Sequence, residues 1–140
     1  MIGTRTRFAL AVKKLWKDES GQSLVEFALV LPILLLILLG IIDFGSIFST
    51  ELVIEGAALD AARYASVGAT DAQVNQVIQQ DCATLQTSQL TVTINPTQSN
   101  RVSGQPVVVT ISYPVNIEFP LTAFLPNPLV VHAATDMRVE

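Results

Sequence analysis

The chain has one cysteine, one histidine and one tryptophan in 140 residues. A lone Cys82 rules out an intramolecular disulfide and reads as a small buried apolar residue rather than a reactive thiol. Cys/His catalysis would rest on Cys82 and His132 alone, which fall in an expected helix and an expected strand with no supporting motif. No HExxH, CxxC, P-loop or GxSxG occurs, so no catalytic residue, cofactor or metal is expected. Positive charge is scarce too: beyond residue 21 the only basic side chains are Arg63, Arg101 and Arg138. That excludes a nucleic-acid surface, whose phosphates demand basic patches. The chain has room for one small domain, and residues 73–140 are too few to bury a large core unaided.

What the chain has in abundance is one apolar run, GQSLVEFALVLPILLLILLGII, over residues 21–42. From Leu24 to Ile42 there are nineteen residues and a single formal charge, Glu26. A helix needs ~20 apolar residues to cross a bilayer, and a span in hydrocarbon must pair its own backbone groups, so residues 22–42 are expected to form one transmembrane helix. Glu26 is the anomaly, because a carboxylate at depth in lipid costs about 2–3 kcal/mol, and less near the interface. Either it lies high enough to reach water or it has a partner. A cut between Gly21 and Gln22 would create such a partner, an amine on Gln22 with Glu26 fifth and Phe27 sixth. Pro32 removes one backbone hydrogen bond and crowds the carbonyl of Ala28, so a kink is expected there. Gly40 offers a small face to a neighbouring helix.

Charge is split along the chain. Residues 1–21 carry a net +3 and residues 22–140 a net −7. Excess Lys and Arg marks the cytoplasmic flank, so the protein is expected in the cytoplasmic membrane with its N-terminus inside and its C-terminal part outside. The basic leader, with FALAVKKLWK at its centre, reads either as a solvated tail or as a segment on the anionic inner surface. A cleaved secretory signal is the competing reading. The long charged region before the run, the length of the run and the GIIDFGS exit without an A-x-A-like site all count against it.

Helical spacing continues past Asp43. Phe44, Phe48, Leu52 and Leu59 fall near one side, and Ile47, Ile54, Ala58, Ala61 and Ala65 near another. A helix from Gln22 to about Val67 would be roughly 70 Å long, with residues 43–68 projecting as a stalk and Gly68 as its stop. Arg63 falls three residues after Asp60, close enough to pair. Thr70 and Asp71 offer an N-cap for a second helix from Ala72 to about Leu85. The period then changes to two. Leu90, Val92 and Ile94 alternate with threonines, NPTQSNRVSGQP reads as a hairpin-like loop, and Val107, Val109, Ile111 and Tyr113 form a strand closed by Pro114. A last strand turns Val131, Ala133, Thr135, Met137 and Val139 one way and His132, Ala134, Asp136 and Arg138 the other. The expected fold is α+β: a small extracytoplasmic head over 69–140, with a three-stranded antiparallel sheet covered by the stalk helix. Residues 116–129 are unusually apolar for a loop. They either fold over the core edge or touch a subunit or the membrane surface.

A basic leader, Gly21, four residues, Glu26, the aromatic Phe27 and an apolar helix together resemble a type IV prepilin signal. With Pro32 and the IDFG exit, Ser20 to Arg63 is similar to the TadE family, minor pseudopilins of the Tad (Flp) pilus. Gln22 stands where a small residue is common, and Phe27 where related shaft pilins have Tyr. The resemblance implies a pilin-like fold and a non-catalytic role in assembling Tad/Flp-type pili for adhesion or secretion. It also implies cleavage by a prepilin peptidase at Gly21–Gln22 and an assembly role for Glu26 and Phe27. The implied partners are that peptidase, the shaft pilin, a sister pseudopilin, the inner-membrane assembly platform and the lipid bilayer. The alternative is an anchored extracytoplasmic binding or adhesion module that never enters a filament.

Overall fold

The structure, a computed structural model, describes the chain from Glu19 onward, and its side chains from Gly21. The expectation of an amphipathic leader falls on residues outside that range. Helix α1 runs over Glu19–Ser66, 48 residues, and passes through Pro32 without ending. It begins three residues before Gln22. The described residues divide into two units, one ending at Gly40 and one covering Ile41–Glu140. In the first unit the side chains of the apolar run are exposed throughout, from Leu24 to Leu39, and the helix is long and apolar enough to cross a membrane.

The second unit is an α+β fold. It contains the rest of α1, helix α2 (Asp71–Asp81), and strands β1 (Thr91–Asn95), β2 (Pro106–Val115) and β3 (Leu129–Arg138). The strands make one antiparallel sheet in the order β1-β2-β3. Alternation decides which face is covered. Val107, Val109, Ile111, Val131 and Ala133 are buried, whereas His132, Ala134, Asp136 and Arg138 are exposed. The covering surface is the small-residue face of α1: Ile54, Ala58, Ala61 and Ala65 are fully buried in one cluster with those strand residues and with Val74, Ile78 and Cys82. Alanine lets helix and sheet approach closely, so a short sheet can bury a core it could not build alone. The other stripe, Phe44, Phe48, Leu52 and Leu59, is exposed.

Helix α1 stops in a Schellman motif. The Ala69 N–H reaches the Tyr64 carbonyl at 3.0 Å and the Gly68 N–H reaches Ala65 at 3.3 Å. Gly68 takes φ +87°, open to a residue without Cβ. Thr70 caps α2 in a reciprocal box with Gln73: Thr70 Oγ1 accepts from Gln73 N–H at 3.1 Å, and Gln73 Oε1 accepts from Thr70 N–H at 2.9 Å.

Two boundaries differ from the sequence reading. Helix α2 ends at Asp81, because the chain tightens into i→i+3 bonds (Ala83 N–H to Gln80, Leu85 N–H to Cys82) that turn Leu85 onto the core. Pro114 does not close β2, which runs one residue further. Strand β1 begins opposite Ser112, so Pro114 lies beyond it, where β2 has no neighbour on that side and its missing N–H is tolerated.

Helix and sheet run side by side. Pro114, Val115 and Asn116 line a cleft with Ser46 and Thr50 at one end. At the other, the Glu140 N–H donates to the Ser66 carbonyl at 3.0 Å. Ten strand residues cover about 33 Å and twenty helical residues about 30 Å, so the two ends coincide.

Candidate functional site

The sequence motif lies in the first turns of α1. Gly21 and Gln22 are already helical. Gln22 Nε2 donates to Glu26 Oε1 at 3.0 Å, an i,i+4 bond on an exposed face. The intact chain therefore gives the carboxylate a neutral partner, and the spacing of Gln22 and Glu26 was the signal that could have shown it. Phe27 is exposed beside it, and Pro32 lies a turn and a half further along the same apolar stretch. Glu26 is the only formal charge between Gly21 and Gly40.

Asp43, which ends the apolar run, is buried. Its Oδ2 has no hydrogen-bond partner among the described residues. Its position one turn before Ile47 places it at the end of the core-facing side of α1.

The structure does not bring Cys82 and His132 together. Cys82 is 0% exposed in the core, while His132 stands on the open face of the sheet. Burial, and then the neighbouring Asp81 carboxylate, push the Cys82 thiol pKa up, which disfavours the thiolate. His132 Nδ1 instead meets the Ser112 hydroxyl at 2.8 Å, directly across the β2–β3 pair. Two clefts in this unit are lined by neither residue. One lies between Ser46, Thr50, Gln86 and Tyr113, the other between Asn75, Ile78, Thr87 and Val92. Among the described residues no group of three or more His, Cys, Asp and Glu side chains could hold a metal ion.

A feature the sequence reading missed lies in the loop between β1 and β2. The Arg101 side chain is 4% exposed and forms a salt bridge with Asp71. Its Nη1 donates to the Ala69 carbonyl at 2.6 Å and the Ala65 carbonyl at 3.5 Å, and its Nε to Pro96 at 3.4 Å. Asp71 Oδ2 in turn accepts the Gln98 N–H at 3.1 Å. One guanidinium thus closes the C-terminal end of α1, the start of α2 and the loop onto each other. The expected Asp60–Arg63 pair is present at 3.6 Å, on the surface.

Residues 116–129 divide between the two readings offered for them. Ile117 is buried and Leu121 and Leu125 pack on the core, while Phe119 and Phe124 point outward.

No curated protein and no solved structure matches the chain. The first-turn motif, the apolar run and the exit of α1 as far as Arg63 are, however, the stretch over which the chain is similar to a known family: residues 21–63 match the family model described as TadE-like protein.

Proposed function

We propose that this chain is a non-catalytic minor pseudopilin that takes part in assembling Tad/Flp-type pili, anchored in the cytoplasmic membrane by the apolar half of α1 with its head outside. The observation that carries this reading is the family match over 21–63, which contains Gly21, Gln22, Glu26, Phe27 and Pro32 in one helix. The charge split between residues 1–21 and 22–140 supports the N-in orientation.

The mechanism is physical. A prepilin peptidase cuts between Gly21 and Gln22, favoured by a glycine that lets the backbone approach closely once the first turn of α1 unwinds. The new amine on Gln22 replaces the neutral side-chain amide as partner of Glu26, on the same chain or a neighbour. That charge pair offsets the cost of a carboxylate in lipid and fixes the register between packed helices of shaft pilin and sister pseudopilin.

The test is the N-terminal residue and intact mass of the membrane-extracted protein co-expressed with a prepilin peptidase. A chain that begins at Gln22 and stays in the membrane fraction is expected. An uncut chain removes the pseudopilin reading, and a cut after Ile42 that releases a soluble head removes the anchor. Gly21→Leu is expected to block processing, whereas Glu26→Ala is processed but fails in pilus assembly. Normal pili from Glu26→Ala would remove the register argument.

A further inference from the structure

The unit Ile41–Glu140 contains four phenylalanines, Phe44, Phe48, Phe119 and Phe124, and all four are exposed. Its buried cluster is built from Ile, Val, Ala and Cys. A core that excludes every Phe available to it is unusual, because Phe is among the residues folding buries most readily. The four lie toward the same end of the unit. Phe44 and Phe48 stand on the first two turns of α1 in this unit, and Phe119 and Phe124 on the β2–β3 connection. That connection leaves the sheet at Val115 and Asn116, across a cleft from Ser46 and Thr50. The opposite end of the sheet, near Ser66 and Arg101, lies about 30 Å further along the helix and has no Phe.

The end that collects the aromatics is also the end where the apolar run stops. Ile41 and Ile42 are exposed members of the same unit and precede Phe44 directly. Residues 116–129 carry Glu118 and no Lys or Arg, and three prolines hold the segment in tight turns around the short 3-10 helix Leu121–Ala123. Ile117, Leu121 and Leu125 fasten its inner side to the core, which leaves Phe119 and Phe124 (84% exposed) pointing out from a supported base.

We propose that the β2–β3 segment is a membrane-contact surface. Phe119 and Phe124, with Phe44, enter the headgroup–acyl boundary of the leaflet from which α1 emerges and seat the head on the bilayer. The segment is acidic, so the contact is apolar and needs no anionic lipid. It rests on the reading that residues 24–42 cross the bilayer, and continuity with that span identifies the occupant as lipid. Entry of the same aromatics into a protein neighbour is the competing outcome.

The test uses the full-length chain in phosphatidylcholine vesicles, with Trp16→Phe as background and one new tryptophan at a time: F124W, F119W, L38W within the span, and V102W on the exposed loop at the far end of the sheet. The acyl chains carry bromine either near the headgroup or near the chain end. The expected result is L38W, about one helical turn inside the outer end of the span, quenched strongly by bromine at both positions. F124W and F119W are quenched several-fold more than V102W, and more by shallow than by deep bromine. Quenching of L38W with F124W and F119W no more quenched than V102W overturns the contact while leaving the span intact. A blue-shifted F124W emission that bromine does not quench means burial against protein, and overturns it as well. An unquenched L38W removes the span, and the contact with it.

Discussion

Arg101→Ala is the substitution from which most should follow. The guanidinium is 4% exposed, and its loss strands the Asp71 carboxylate, itself one-third exposed, together with the carbonyls of Ala65, Ala69 and Pro96. Removing one partner of a buried pair costs about 3–5 kcal/mol. The partial exposure of Asp71 and its remaining bond to Gln98 N–H place the expected loss at the lower end, about 3 kcal/mol. Small domains are stable by roughly 5–15 kcal/mol, so the head would lose a large share of its margin. With a urea slope of about 1 kcal/mol/M for so small a unit, the midpoint falls by about 3 M. The assay is urea unfolding of the detergent-solubilised chain followed by near-UV circular dichroism, which reads the tyrosines of the head rather than the apolar helix. Arg101→Lys supplies the charge without the planar fork and reaches fewer acceptors, so it should recover less than half of the loss. A midpoint for Arg101→Ala within about 0.5 M of the parent, or a Lys variant indistinguishable from it, would refute the reasoning.

Three further outcomes are expected. Ala61→Leu forces a larger side chain into a fully buried helix–sheet contact and should cost about 1–3 kcal/mol, seen as a fall of several degrees in Tm. Cys82, buried and with its thiol pKa pushed up, should resist maleimide at neutral pH in the folded chain and react once urea unfolds the head; fast labelling of the folded chain would contradict its placement. The Asp81 pKa is raised above its ordinary 3.8 by burial first and by Asp60 second, so the folded state holds that proton more tightly than the unfolded one. The resulting advantage is complete below that ordinary value and fades as pH rises through the folded pKa. Asp81→Asn should therefore raise Tm relative to the parent at neutral pH and make no difference near about pH 3.

Much of this architecture was legible because each element carries its own period. Alternation in β3 assigns His132, Ala134, Asp136 and Arg138 to the open face and Val131 and Ala133 to the core, as observed. The two apolar stripes of α1 were separable by spacing, and one proved buried and the other exposed. The ends of elements were less legible, since they depend on what lies alongside. Pro114 stays in β2 because β1 does not reach it, starting only opposite Ser112, and α2 gives way at Asp81 where Leu85 has a core to reach. Arg101 was not legible at all. Its partner Asp71 is thirty residues away, and a lone arginine among turn formers looks the same whether solvated or buried. At the first-turn motif, residue types and spacing pointed to Glu26, while the Gln22 amide that meets it was passed over as a departure from the usual small residue.

The side-by-side course of α1 and β2 has a mechanical consequence. The sheet faces the helix across a cleft at Ser46 and Thr50 and is bonded to it at Ser66, with Ile54, Ala58, Ala61 and Ala65 packed between. Tension that enters at Ile41 and leaves through the sheet acts parallel to this contact, so it loads the contact in shear. The whole row must slip together before any of it separates, whereas a head hinged at one end would peel one residue at a time. Small flat alanines give the row little steric interlock, so resistance to sliding falls on its bonded far end, where Arg101 grips the last carbonyls of the helix and Glu140 holds Ser66.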